Sequence, residues 1–238
     1  MSEAHVKAAG NRHPAASIIC LAGSWRLEAL LRLIFLGPPG AGKGTQAAKV
    51  GASLGVPHIS TGDMLRAQIA AGTALGRQAA GIMTRGELVP DDLVVAILLD
   101  RIAADDAANG FILDGFPRNV RQAQILEADP DGRIDRVVLL VIDEEEVVRR
   151  ISGRRCCPEG HIYHIDDQPP LKANVCDEDG ELLVQRPDDA KDVVLNRLGV
   201  YHASTEPLIG FYGERIVEVD GSGSPEKITR HILEAVRV

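Results

Sequence analysis

Positive charge is in deficit in this chain: lysine and arginine number 26 against 34 aspartate and glutamate, a formal net charge of −8. A main partner made of nucleic-acid backbone or anionic membrane is thereby excluded, because such surfaces are held by a basic excess. Any cationic site must be local. Long apolar runs are also missing. A bilayer-crossing helix needs roughly 20 consecutive apolar residues, and the stretch from Ala15 to Ala22 is too short and too mixed. The polar start, MSEAHVKAAGNRHP, lacks the concentrated basic region that precedes a secretory apolar segment. Cysteine is scarce, and three of the four (Cys20, Cys156, Cys157, Cys176) fall in one short stretch. In a chain without a secretory pattern that spacing argues for a metal or reduced thiols, not a disulfide framework. Internal repeats and low-complexity tracts are absent. The expectation is a cytoplasmic globular protein with no membrane and no nucleic-acid partner.

What is present is an ordinary globular composition, 45% hydrophobic over 238 residues, enough for one principal domain carrying insertions. Strong order begins at Leu33-Ile34-Phe35-Leu36, a buried-strand run that stops at Gly37-Pro38-Pro39-Gly40. A helix should follow from Lys43. Further apolar strands are expected near Pro57 to Ile59, Phe111 to Leu113, Arg136 to Ile142 and Ile216 to Val219, with helical patterns between, as at Asp91 to Ala104 and Glu144 to Ile151. Strands alternating with helices imply an α/β fold, a doubly wound parallel sheet of five strands covered on both faces.

Two stretches break the alternation. Residues 60–89 are rich in alanine and glycine and read as a helical insert. Residues 153–189 shift to cysteine, proline, aspartate and glycine and read as a small irregular or β-rich flap. The core is then 31–59, 90–152 and 190–238, with 1–30 expected as an extension outside the fold: a loose arm, a modest helix around Trp25 to Leu31, or an artefact of where translation was taken to begin.

Gly37-Pro38-Pro39-Gly40-Ala41-Gly42-Lys43-Gly44-Thr45 follows a strand and opens a helix, which is the setting of a phosphate-binding P-loop. Glycines let backbone N–H groups approach an anion, the helix N-terminus adds partial positive charge, and Lys43 reaches the outer phosphates as a mobile cation. The general pattern places Ser or Thr directly after the lysine to bind magnesium. Here Gly44 intervenes before Thr45, so magnesium is expected on the nucleotide phosphates and on waters anchored by Asp114. This variant resembles the loop of nucleoside monophosphate kinases.

Beyond the loop, the motifs come in order: Ser60-Thr61-Gly62-Asp63-Met64-Leu65-Arg66, Gly86-Glu87-Leu88-Val89-Pro90-Asp91, Leu113-Asp114-Gly115-Phe116-Pro117-Arg118 with Gln122, Gly153-Arg154-Arg155, Gln185-Arg186-Pro187-Asp188-Asp189 and Asn196-Arg197-Leu198. Together they resemble the adenylate kinases of the long-lid type, from Leu33 to the C-terminus. The resemblance implies phosphoryl transfer from ATP to AMP to give two ADP, in a monomer. It implies an ATP site at Gly40, Ala41, Gly42, Lys43, Gly44, Thr45, Arg150, Arg154, Ile162, Tyr163 and Gly223, with Arg150 and Tyr163 flanking the base. An AMP site is implied at Thr61, Arg66, Glu87, Leu88, Val89, Gly115, Phe116, Pro117, Arg118, Gln122, Arg186 and Arg197, with Thr61 and Gln122 reading the adenine. Lys43, Arg118, Arg154, Arg186 and Arg197 are the implied catalytic cations. Phosphoryl transfer needs chiefly positioning and electrostatic stabilisation. AMP already carries negative acceptor oxygens, so no general base is assigned, although Asp63, Asp114, Asp188 and Asp189 are available. Asp188 and Asp189 are expected to position the flap arginines.

Some relatives brace the flap with zinc on two Cys-x-x-Cys pairs, or with aspartate as fourth ligand. Cys176-Asp177-Glu178-Asp179 retains the second half, but Cys157-Pro158-Glu159-Gly160 lacks its closing cysteine. His161 or Cys156 are the candidate substitutes. The expectation is a flap held by hydrogen bonds and packing, with zinc on Cys157, His161, Cys176 and Asp179 the alternative. The competing functional readings are a kinase for UMP, CMP or GMP, and a nucleotide-binding regulator without catalysis.

Overall fold

A computed structural model describes residues 31–236. Five parallel strands form its centre: β1 (Leu31–Leu36), β2 (His58–Ser60), β3 (Gly110–Asp114), β4 (Arg136–Val141) and, last in the chain, Ile216–Asp220, in the order β2, β3, β1, β4 and that last strand. Their continuous apolar runs are what a sheet buried on both faces requires. Alternate residues serve opposite faces. Leu33, Phe35, Ile112, Val138 and Leu140 pack on α1 (Lys43–Leu54) and α9 (Pro225–Val236). Ile34, Leu36, Phe111, Leu113, Val137 and Leu139 pack toward α4 (Asp91–Ile102), α5 (Val120–Ala128) and α8 (Leu208–Tyr212). Full burial of each such side chain contributes about 1.5–3 kcal/mol.

The five expected strands are all present, displaced by a residue or two at their ends. β4 stops at Val141, two residues before Asp143 takes the N-cap position of α6 (Glu144–Gly153), and α4 ends at Ile102, before Ala104 leads into a short 3-10 turn. The helix expected around Trp25 lies outside the described residues, while Leu31 opens β1.

Between β2 and α4 the chain forms α2 (Thr61–Ala70) and α3 (Ala74–Thr84). Each is started by a hydroxyl cap: Ser60 accepts from the Asp63 N–H, and Thr73 accepts from the Gly76 N–H. After α6 the chain enters a small antiparallel pair, β5 (Arg154–Cys156) and β6 (Ile162–His164), to which Val184 adds through two 2.9 Å backbone hydrogen bonds with Cys156. A cluster of Cys157, Tyr163, Cys176 and Leu183 is its only core among the described residues. The chain returns through a 3-10 turn at Pro187–Asp189 into α7 (Lys191–Val200), and a five-residue π turn, Tyr201–Thr205, precedes α8. The last strand of the large sheet, β7 (Ile216–Asp220), pairs with β4. No described helix is long and apolar enough to cross a membrane.

Candidate active site

The carboxyl ends of β1 and β3 open on one cleft, as α/β sheets present their chemistry. The loop after β1 shapes its floor. Gly42 stands at the N-cap of α1 with φ 90°, and no side chain caps that helix, whereas Ser60, Thr73 and Asn119 cap α2, α3 and α5. The first N–H groups of α1 are thus left for an anion. A Cβ at Gly40 would lie 2.7 Å from Ile151, but one at Gly42 would meet nothing within 4 Å. The first glycine is needed for packing; the second faces open space.

Lys43 is partly buried in the cleft, and its Nζ donates to the Gly37 and Pro38 carbonyls at 2.8 Å each. Desolvation lowers its pKa to about 8; Asp114 opposes that shift, and Arg118, Arg197 and Arg154 add to it. Arg118 donates from Nε to the Gly115 carbonyl at 2.8 Å, and desolvation pushes its pKa down against the pull of Asp114. Arg197 is lowered to about 10, again by desolvation with Asp188 opposing. Cations crowded together and short of water are a receptor for phosphate oxygens. The space they face, bounded also by Gly37, Gly86 and Pro117, holds about 530 Å³.

Two aspartates orient the arginines, as expected. Asp189, 1% exposed, takes a two-pronged pair from Arg154, with Nε to Oδ2 at 2.9 Å, and stands 3.5 Å from Arg197. Desolvation works against the Arg154 charge, but the Asp189 fork outweighs it and raises the pKa. Asp188 receives Arg197 NH1 through its carbonyl at 3.0 Å and its carboxylate at 2.9 Å. Arg186 stands at the start of the same turn and lies near enough to lower the pKa of Asp63, whose nearest cation is Arg66, 2.5 Å away through NH2.

A second space of about 360 Å³ adjoins the first, lined by Thr61, Leu65, Leu88, Val89, Arg118 and Gln122 among others. Thr61 is buried and donates to the Gly115 carbonyl at 2.9 Å. Glu87 turns its carboxylate to Arg85, at 2.7 and 2.9 Å, so only its backbone serves the pocket. Phe116 is buried beneath Pro117, and the peptide between them is cis.

Some expected ATP contacts are arranged otherwise. Tyr163 does not stand free to flank a base: its ring lies in the flap core and its hydroxyl accepts from the Asp177 N–H at 2.8 Å. The apolar demand of a flap with almost no core takes precedence. Ile162 beside it is exposed. Arg150 is pinned to Glu146 at 2.8 Å and to the Gly221 carbonyl at 3.0 Å, near Gly223 at the carboxyl end of β7.

In the flap, Cys157, His161, Cys176 and Asp179 converge, their ligand atoms all within 4.8 Å of one another. Cys157 Sγ lies 3.3 Å from His161 Nδ1 and 3.1 Å from Asp179 Oδ2, and Cys176 Sγ lies 3.4 Å from His161 Nδ1. Tetrahedral zinc with bonds of about 2.0–2.3 Å needs ligand separations of roughly 3.3–3.8 Å, close to this spacing, and the donors are types zinc accepts. Cys156 is not in the group.

Three contributors went unread in the sequence. Asp91 accepts from Asn119 Nδ2 at 2.9 Å and from Gln122 Nε2 at 2.8 Å. His58 Nε2 is buried without a hydrogen-bond partner, 3.5 Å from Asp114 Oδ2. Thr205 donates to the Arg118 carbonyl at 2.9 Å, tying the π turn to the site. Only Asp91, inside a quoted motif, carried a signal that could have been followed.

A family model described as "Adenylate kinase" matches residues 35–217. A protein of Streptomyces avermitilis named adenylate kinase is 45% identical over 214 residues, covering 87% of this chain and 97% of its own length. One of Acidothermus cellulolyticus with the same name is 47% identical over 213 residues, covering 87% and 98%. The corresponding protein of Streptomyces griseus is 45% identical over 214 residues, with 87% and 98% covered.

Proposed function

This chain belongs to the adenylate kinase family, and we propose that its cleft binds ATP over the loop of α1 and AMP in the pocket of Thr61 and Gln122. It is a phosphotransferase interconverting ATP plus AMP with two ADP. The observation that carries the site assignment is the meeting of Lys43, Arg118 and Arg197 around the first space, with Arg154 near enough to act on the Lys43 charge. Charge in this transfer spreads over the equatorial oxygens of the moving phosphoryl group, so a preorganised ring of cations supplies most of what catalysis needs.

In this reading Lys43 and the Gly40 to Thr45 backbone hold the ATP phosphates. Arg66 and Arg118 hold the AMP phosphate, Arg154, Arg186 and Arg197 brace the moving group, and Thr61 and Gln122 take the adenine. Residues 60–89 form the AMP-binding insert and 153–189 the lid, whose closure excludes water as a competing acceptor. The magnesium that accompanies ATP would have its waters held by Asp114. That carboxylate accepts no hydrogen bond from a described residue, and Gly44 leaves room beside it, since a Cβ there would come within 3.2 Å of Oδ2.

For the lid we replace the expectation of an unaided flap with a structural zinc on Cys157, His161, Cys176 and Asp179. The four converge and the lid has almost no apolar core of its own. Metal analysis after exhaustive dialysis should return one zinc per chain, lost in Cys176→Ser; metal-free protein with an intact fold would refute the assignment. The acidic balance and the lack of a described membrane-spanning helix support a cytoplasmic protein acting without nucleic acid or membrane, and we take it as a monomer. Mutating Arg118 tests the site reading: Arg118→Ala should cut kcat by about 10²-fold or more, and near-normal turnover would refute it.

A further inference from the structure

Gln122 is 2% exposed, and its amide is held at both ends. Oε1 accepts from the backbone N–H of Arg118 at 2.7 Å, and Nε2 donates to Asp91 Oδ1 at 2.8 Å. Its partners fix the orientation of the amide. A backbone N–H only donates and an ionised carboxylate only accepts, so the oxygen must face Arg118 and the nitrogen must face Asp91. Asn119 is locked by the same logic: Oδ1 takes the Gln122 N–H at 2.8 Å, and Nδ2 gives to the same Asp91 oxygen at 2.9 Å.

One N–H of Nε2 and one lone pair of Oε1 are left for a ligand in the pocket that Gln122 lines. A 6-aminopurine presents an amino donor beside the N1 acceptor and matches that pair. A 6-oxopurine presents the reverse, an O6 acceptor beside an N1–H donor. It would be accommodated only by turning the amide over, which sets oxygen against the Asp91 carboxylate and N–H against N–H at Arg118. Unpaired buried polar groups are the strongest basis on which a pocket rejects a near-isostere.

We infer that Asp91, which need not touch substrate, is a positioning residue that sets the preference of this enzyme for 6-amino over 6-oxo purine monophosphates by fixing the Gln122 amide. The inference rests on the reading of Gln122 as the adenine contact.

The test compares AMP with IMP, whose base lacks the 2-amino group and so isolates the change at position 6. Asp91→Asn is isosteric and can turn either an oxygen or an NH2 toward Gln122, so it removes the Asp91 half of the lock and leaves only the Arg118 N–H opposing a turned amide. The ratio of kcat/KM for AMP to that for IMP should fall about tenfold, with the KM for ATP unchanged. Asp91→Ala should fall in the same direction, and thermal unfolding of both variants checks the fold. A merely structural role would lower both acceptors together and leave the ratio alone. If Gln122→Ala collapses the ratio while both folded Asp91 variants keep it, the inference fails and the adenine contact stands. If Gln122→Ala itself leaves the ratio intact, the reading beneath it fails.

Discussion

Lys43 should take up a proton when nucleotide binds. Its pKa is about 8, because desolvation and the neighbouring arginines outweigh Asp114, and among the described residues it donates only to the Gly37 and Pro38 carbonyls. At pH 8 about half of the molecules therefore carry a neutral lysine, and at pH 7 about a tenth do. Phosphate oxygens favour the ammonium form and lift the pKa back well above the working pH. Binding of a non-hydrolysable ATP analogue with magnesium should then take up about 0.5 proton at pH 8 and about 0.1 at pH 7. Arg197, lowered only to about 10, stays some 99% protonated at pH 8 and contributes almost nothing. Calorimetric titration in two buffers of different ionisation enthalpy measures the uptake directly. Lys43→Met should abolish it and reduce kcat by about 10²-fold or more. Uptake near zero at pH 8, or undiminished in Lys43→Met, would refute the placement of this lysine against the phosphates.

Gly42→Ala should separate binding from folding. Its φ of 90° costs a side chain about 1–2 kcal/mol, but no neighbour obstructs the Cβ. The melting temperature should fall by only about 2–8 °C, while the KM for ATP rises at least about tenfold and that for AMP hardly moves. Asp189→Ala should instead lower stability and turnover together. It strands Arg154 in a largely buried position, at about 2–3 kcal/mol after allowing for the 17% exposure of that side chain. A melting temperature lower by about 4–10 °C should accompany a kcat lower by roughly 10–100-fold, with Asp189→Asn in between.

The sheet was legible because a strand buried on both faces must be apolar at every position, and the runs at Leu33 to Leu36 and Arg136 to Ile142 can be little else. The loop was legible for a related reason: glycine spacing and a lysine at a strand-to-helix junction have few other uses. Asp91 was not, although it stands in a motif, because its work depends on α4 and α5 meeting at Asn119 and Gln122, residues about 30 positions away in sequence. His58 was hidden likewise, since β2 and β3 must pair before it approaches Asp114. The place of Tyr163 in the flap core was hidden too, because a local pattern does not reveal that 153–189 has so little apolar material that its tyrosine is needed for a core.

The most direct test of the central claim is ADP formation by the purified protein from ATP and each of AMP, GMP, UMP and CMP, with and without Arg118→Ala. Two ADP should form per ATP consumed with AMP, AMP should be clearly preferred over the other three, and the variant should lose turnover without losing its fold. Absence of ADP formation with AMP, or faster transfer to another monophosphate, would contradict that claim.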